Sequence, residues 1–262
     1  MVAPSASCEN AYVDPLFIAA PSAIAAAGGL IGYASAHPAS QLFGRSVRAT
    51  TAAKKLAITF DDGPNPAITP KLLDLFARYN AHATFFVIGD FVKQSPELLR
   101  ETAARGHCIG NHTDNHPNLF KCTPAQIQRH LQHCNEAVQQ AADITPKWFR
   151  PPYGLRNPWV ISAANRMNMQ AVMWTLLAYD WKAKSKEWLI PRMNPIAERA
   201  QRNIPARQNA SGDILCLHDG NHARQNGDRR CTVEALEYWL PRWRDLGLEF
   251  VTIEQAVRTP AT

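Results

Sequence analysis

The chain has 262 residues, 46% of them apolar, and a formal charge of +6. This length suits one large domain with a sizeable core, and α/β barrels reach it undivided. The basic excess at Lys182, Lys184 and Lys186 and at Arg192, Arg199, Arg202, Arg207, Arg224, Arg229 and Arg230 has no aromatic-interleaved motif. It reads as solvated surface, so nucleic acid is not an expected partner.

The first feature in chain order is the uncharged, mostly apolar run from Pro15 to Ala36. It approaches the ~20 residues that span a bilayer, and Ala34-Ser35-Ala36 would suit a signal-peptide cleavage site. No Lys or Arg precedes it, whereas Glu9 and Asp14 do; Arg45, Arg48, Lys54 and Lys55 follow. Taken literally, that bias places the following domain in the cytoplasm. The run is Ala- and Gly-rich and weakly hydrophobic, so a packed or peripheral helix fits it too. We expect an N-terminal segment over residues 1–50, with membrane association through 15–36, and a catalytic domain over 51–262. The expected location is a membrane or the cell envelope, with orientation open.

From residue 54, short apolar runs alternate with longer helical patterns. Lys54 to Phe60 reads as a buried strand, ended by the turn Gly63-Pro64-Asn65-Pro66. Thr69-Pro70 reads as an N-cap with Pro at N1, followed by the stripe Leu72, Leu73, Phe76 and Tyr79. Ala83 to Gly89 is a second strand, and Ser95-Pro96 opens a helix ending at Gly106. His107 to Gly110 is a third strand, and Thr123-Pro124-Ala125-Gln126 is a capping box for a helix to about Ala142. Strands at Trp148–Arg150, Gln170–Thr175, Asp213–His218 and Glu249–Ile253 follow. Helices opening at Asn157-Pro158 and spanning Ile190–Asn203 and Thr232–Leu246 separate them. Such alternation implies parallel strands with right-handed crossovers, closed or nearly closed into a barrel of about seven strands.

Six cysteines, at 8, 108, 122, 134, 216 and 231, form no Cys-x-x-Cys pair and indicate neither a zinc ribbon nor a thioredoxin-like site. Cys108 and Cys216 lie in apolar runs and read as small core residues. Cys122 with Cys134, or Cys216 with Cys231, would bridge in an oxidising compartment.

The informative polar residues fall at strand C-termini, where a barrel builds its active site. Asp61 and Asp62 are adjacent carboxylates whose repulsion calls for a cation, a proton or a hydrogen-bond network. His112 and His116 are four apart, a spacing that puts both imidazoles on one face of a helical turn, as for zinc ligands. Joined to an Asp of another strand, they make a two-His, one-carboxylate metal site. Arg150, before Pro151-Pro152-Tyr153, either forms a structural salt bridge or orients a carboxylate, with a backbone N–H beyond the prolines facing an oxyanion. His218 ends an apolar strand and is a candidate general acid. Tyr179-Asp180-Trp181 places Trp181 as a candidate groove wall.

In this order, Thr59-Phe60-Asp61-Asp62-Gly63-Pro64, His112-Thr113-Asp114-Asn115-His116, Arg150-Pro151-Pro152-Tyr153, Asp180-Trp181 and Leu217-His218 resemble the polysaccharide deacetylase family, the NodB-homology or carbohydrate-esterase-4 group. The resemblance spans residues 54 to 255 and implies a distorted (β/α) barrel with a divalent metal, usually Zn2+, with Co2+, Ni2+ or Mn2+ open. It implies that Asp62, His112 and His116 hold the metal and that Asp61 is the base activating water, oriented by Arg150. The Tyr153 backbone N–H would face the oxyanion and His218 would protonate the departing amine. Pro152, Tyr153, Trp181 and Leu217 would line the substrate groove. The implied partner is a GlcNAc glycan, either peptidoglycan, chitin or a chitooligosaccharide, met by a monomer.

One departure stands out. The family usually has an Asp three residues before the Asp-Trp pair, where this chain has Leu177. Leu cannot accept a hydrogen bond, so the expectation is a less well-tuned His218, with Asp180 a partial substitute. Deformylation or deacetylation of a lipid-linked or small sugar, O-acetyl xylan esterase action and a carbohydrate-binding pseudoenzyme are the alternatives.

Overall fold

The computed structural model describes residues 15–202 and 212–257, with side chains from residue 26 onward. The strands are β1 (Ser46–Val47), β2 (Lys55–Gly63), β3 (Thr84–Val87), β4 (Cys108–Asn111), β5 (Trp148–Phe149), β6 (Gln170–Val172), β7 (Leu176–Leu177), β8 (Asp213–His218) and β9 (Glu249–Val251). The helices are α1 (Pro15–Ala36), α2 (Thr69–Arg78), α3 (Gly89–Gln94), α4 (Pro96–Ala104), α5 (Pro124–Ala142), α6 (Pro158–Arg166), α7 (Lys186–Arg202), α8 (Arg230–Asp245) and α9 (Ile253–Val257).

All strand pairings are parallel, in the order β1-β6-β5-β4-β3-β2-β8-β7, with β9 beside the first half of β2. The Met173 N–H donates to Val47 of β1 and the Thr175 N–H to Ile214 of β8, so residues 173–175 carry the chain from one sheet edge to the other. The result is the expected distorted (β/α) barrel, with nine strands among the described residues rather than about seven. Pieces as short as Ser46–Val47 and Leu176–Leu177 carry no sequence periodicity of their own. Because β1 pairs with β6, the sheet starts before residue 51.

Strand β2 is the axis of the molecule. Every residue from Leu56 to Gly63 is buried, as in a parallel strand covered on both faces, where continuous apolarity replaces alternation. Its side chains join a core in which Phe60 stacks on Phe85 at 5.0 Å and meets Phe76 edge-on at 5.9 Å. Helix α8 closes that core with Trp239 stacked on the fully buried Trp243.

Helix α5 starts with the expected capping box, both Thr123 and Gln126 side chains bonding back to the backbone. Helix α2 differs from expectation. Its N-cap is Ile68, and Thr69 is already helical; the Thr69 hydroxyl accepts from the Asn65 N–H and donates to the buried Asp219 carboxylate. Tertiary contacts use the hydroxyl that local capping would have taken. Helix α7 begins four residues before Ile190 and contains Pro191 and Pro195; its expected end at Asn203 lies outside the described residues.

Cys108, Cys122, Cys134, Cys216 and Cys231 are all free thiols, so neither of the bridges that the spacing left open is present, and Cys8 lies outside the described residues. Cys134 and Cys216 are core residues, whereas Cys108 is only partly buried.

Among the described residues no helix is long and apolar enough to cross a membrane. The C-terminal end of α1 is instead docked on the barrel, with Ala34 and Ser35 buried. The Arg156 N–H donates to the Ser35 carbonyl at 3.0 Å, and its guanidinium donates to the His37 and Ser40 carbonyls at 2.5 and 3.2 Å. Hydrogen bonds from charged donors contribute about 1.5–3 kcal/mol. Arg156→Ala should therefore speed tryptic cleavage at Arg45 while the barrel unfolds at an almost unchanged temperature. Equal cleavage rates in the two proteins would show that the clasp is held by other contacts.

Candidate active site

Adjacent residues of a strand point to opposite faces, so Asp61 and Asp62 should not serve one site. The backbone resolves this: β2 changes register against β3 between Asp61 and Gly63, and Asp62 takes a left-handed φ of 70°. The irregularity re-aims Asp62 so that both carboxylates reach the same cleft.

His112 and His116 come together as expected, but not on a helix. They lie on a loop after β4 in which Thr113 (φ 68°) and His116 (φ 58°) are left-handed. Local hydrogen bonds tie this loop: Asn111 Oδ1 accepts from the Thr113 N–H at 2.7 Å and Thr113 Oγ1 from the His116 N–H at 3.0 Å. Asp114 anchors it to α5 through His130 Nδ1 at 2.6 Å. The His112 Nδ1 meets the Arg150 carbonyl at 2.7 Å. A carbonyl can only accept, so Nδ1 carries the proton and the Nε2 lone pair is free.

The two Nε2 atoms lie 3.6 and 3.5 Å from Asp62 Oδ1. That oxygen is buried and accepts no hydrogen bond among the described residues. Two imidazole nitrogens and a carboxylate oxygen converge within 4.8 Å, with Asp62, His112 and His116 all buried. This donor set fits a divalent cation. Burial, followed by the neighbouring His112, pushes His116 down to about 3, so it stands as a neutral imidazole. Burial alone would raise the Asp62 carboxyl, but the His222 contact and the surrounding histidines hold it well below the usual carboxylate range.

Asp61 is paired with Arg150 at 2.8 Å, and Arg150 is fully buried. The guanidinium also donates to Thr59 Oγ1 (2.7 Å) and to the Val172 and Met173 carbonyls (3.2 and 3.3 Å), and it lies over the Phe86 ring. A buried charge needs such complete hydrogen bonding. The ion pair is built into the core and fixes how the Asp61 carboxylate lies.

His218 settles the Leu177 question against expectation. Its Nδ1 lies 2.8 Å from Asp180 Oδ1, and its N–H donates to Asp180 Oδ2, also at 2.8 Å. Thr232 Oγ1 donates to the same Asp180 oxygen at 2.9 Å. Asp180 is the full partner of His218, and Leu177 sits beside Cys216 in the β7–β8 pairing, on the cleft wall. Burial by itself would depress His218, but the Asp180 carboxylate overrides it and raises the imidazole to about 9.

Asp61, Asp62, His112, His116 and His218 line an open cleft of about 430 Å³ with Tyr153, Trp174, Tyr179 and Trp181. Tyr153 is left-handed (φ 58°) after the two prolines and half exposed. Trp181 packs edge-on to His218 at 4.7 Å. Leu217, by contrast, is a fully buried core residue, and Pro152 is buried behind Tyr153 rather than in the cleft wall. Trp174, Asn221 and His222, which no sequence motif marked, also line the cleft, together with Tyr179 and Arg229. His222, four residues beyond His218, repeats the spacing of His112 and His116, and that was the available signal.

A curled parallel sheet with converging Asp62, His112 and His116 side chains, a buried Asp–Arg pair and an Asp–His pair at the C-terminal ends of its strands defines a hydrolase of the (β/α)-barrel class. The sequence model of the family described as polysaccharide deacetylase matches residues 48–172. The chain is 36% identical to a peptidoglycan-N-acetylglucosamine deacetylase of Bacillus cereus over 205 residues, 78% of this chain and 89% of that one. It is 33% identical to a chitooligosaccharide deacetylase of Sinorhizobium fredii over 214 residues, 79% and 94% of the two chains. The crystal structure of the Bc1960 peptidoglycan N-acetylglucosamine deacetylase, in complex with 4-naphthalen-1-yl-N-oxidanyl-benzamide, superposes with a TM-score of 0.70 at 28% identity, covering 82% of this chain and 92% of that chain. The protein belongs to the polysaccharide deacetylase family.

Proposed function

We propose that the chain is a divalent-metal-dependent hydrolase that removes N-acetyl groups from a GlcNAc-containing glycan. One observation carries the reading: Asp62, His112 and His116 converge beside the Asp61–Arg150 and Asp180–His218 pairs in one aromatic-walled cleft. Relatives named for peptidoglycan and for chitooligosaccharides support the substrate class.

Asp62, His112 and His116 would hold the ion, and Zn2+ suits two imidazoles and a carboxylate. Bound there, it supplies Lewis acidity that lowers the pKa of water towards ~7 and polarises a carbonyl. Asp61, oriented by its ion pair with Arg150, accepts a proton from the attacking water. The Tyr153 N–H donates to the oxygen on which negative charge develops. His218, protonated through Asp180, gives its Nε2 proton to the sugar nitrogen as the amide C–N bond breaks. The new C–O bond completes acetate, and the free amine stays on the glycan. Tyr153, Tyr179 and Trp181 provide faces on which sugar rings stack.

Acetate release by the full chain from peptidoglycan and from chitohexaose, after chelation and with zinc restored, tests this reading. Zinc-dependent release from either glycan is expected. A metal-loaded protein that releases none from either would overturn it.

We further propose that the protein works as a monomer at the cell envelope, membrane-associated through the segment that begins at Pro15. Sedimentation and a carbonate wash of the membrane fraction read these two points.

A further inference from the structure

The loop between β8 and α8 brings a third imidazole to the Asp62, His112 and His116 cluster. His222 Nδ1 lies 3.8 Å from Asp62 Oδ2. Its ring stacks on His116 with centroids 4.4 Å apart and planes at 16°, and Tyr153 meets it edge-on at 5.8 Å. The Asp62 carboxylate is thereby divided. Oδ1 faces the His112 and His116 Nε2 atoms, whereas Oδ2 faces His222.

The loop that delivers His222 is built to stay there. Asn65 Nδ2 donates to the carbonyls of Asp219 and Gly227 at 2.8 Å each, on either side of His222. Gln225 Nε2 donates to the Phe91 carbonyl and to Ser95 Oγ. Gly220 lies so close to the Asp62 backbone that a Cβ there would overlap the Asp62 carbonyl. The loop, strand end and carboxylate therefore form one packed unit.

We propose that His222 is a positioning residue for the metal centre, acting on two of its three ligands. Its Nδ1–H points at Asp62 Oδ2 and leaves Oδ1 for the cation, while its ring fixes the plane of His116. At 3.8 Å the contact is longer than a hydrogen bond and acts on Asp62 through the electrostatics of the imidazole. His222 is not itself a ligand: its nitrogens stand outside the converging donor set of Asp62, His112 and His116. Groups that orient ligands in this way typically change metal affinity by 10–100-fold. The inference rests on the metal-dependent reading above.

The test uses the chelated full chain, with zinc affinity read by competition against a chromophoric chelator. His222→Ala should weaken zinc binding about 10–100-fold, and His222→Gln, which keeps an N–H donor, should recover part of that loss. The visible spectrum of the Co2+-loaded protein should be the same in wild type and His222→Ala, because the ligand set is unchanged. Equal zinc affinity in wild type and His222→Ala overturns the proposal and leaves the metal-dependent reading intact. A changed Co2+ coordination number also overturns it, by making His222 a ligand. A wild-type chain that binds no zinc overturns both readings.

Discussion

Replacing Asp61 by Asn should lower the turnover of acetate release by about 10²–10⁴-fold while the chain keeps its metal. The substitution is nearly isosteric and leaves Asp62, His112 and His116 untouched. What it removes is a cleft carboxylate that stands outside the proposed ligand set and is held by the buried Arg150 at 2.8 Å. An amide cannot take the proton of the attacking water. The same change leaves the Arg150 charge without its ionic partner, although Thr59, Val172 and Met173 still accept from it. Breaking a buried pair costs about 3–5 kcal/mol when nothing compensates, so some loss of stability should accompany the loss of turnover. Turnover, bound metal by elemental analysis, and urea unfolding together check this. Near-normal turnover with metal bound would remove Asp61 as the base.

Replacing Asp180 by Asn should move the alkaline limb of the pH–kcat/KM profile down by more than one unit. In the wild type His218 is raised to about 9, burial working against it and the Asp180 carboxylate overriding burial. The acid form is therefore complete at neutral pH and is lost as pH rises through the elevated value. Without the Asp180 charge, burial dominates and the imidazole falls towards or below its ordinary range. Activity at neutral pH then drops because the leaving amine lacks a proton donor. Reading the shift as a difference between variant and wild type cancels the contributions the two share. Leu177→Asp should leave the limb in place, since residue 177 lies beside Cys216 and the position facing His218 Nδ1 is already filled. An unshifted limb in Asp180→Asn would mean that another group sets the His218 proton.

The sequence was most legible where one local pattern has one physical outcome. The continuous apolar run before Asp61 forms a doubly covered parallel strand, Thr123 and Gln126 cap α5, and Asn157 caps α6 through the Val160 N–H. The convergence of Asp62, His112 and His116 was also readable, because ligand residue types at strand ends have few other uses. The reading failed where side chains make long-range contacts. Thr69 looked like a cap and instead serves Asp219, 150 residues away. His112 and His116 looked helical, yet their four-residue spacing is closed by a loop with left-handed backbone, which no periodicity reports. The cysteine pairs that spacing left open are free thiols.

By itself, then, the sequence determined the strand–helix alternation, the family and the donor atoms of the cleft, because each is written in residue type and short-range order. Only the tertiary structure decided how those donors work together. A register change in β2 brings Asp61 and Asp62 to one face, and Asp180, rather than the residue at 177, meets His218. The β8–α8 loop lays His222 against Asp62 and His116. These are angles and distances between segments far apart in the chain. They are set by backbone irregularities and core packing that no local pattern encodes.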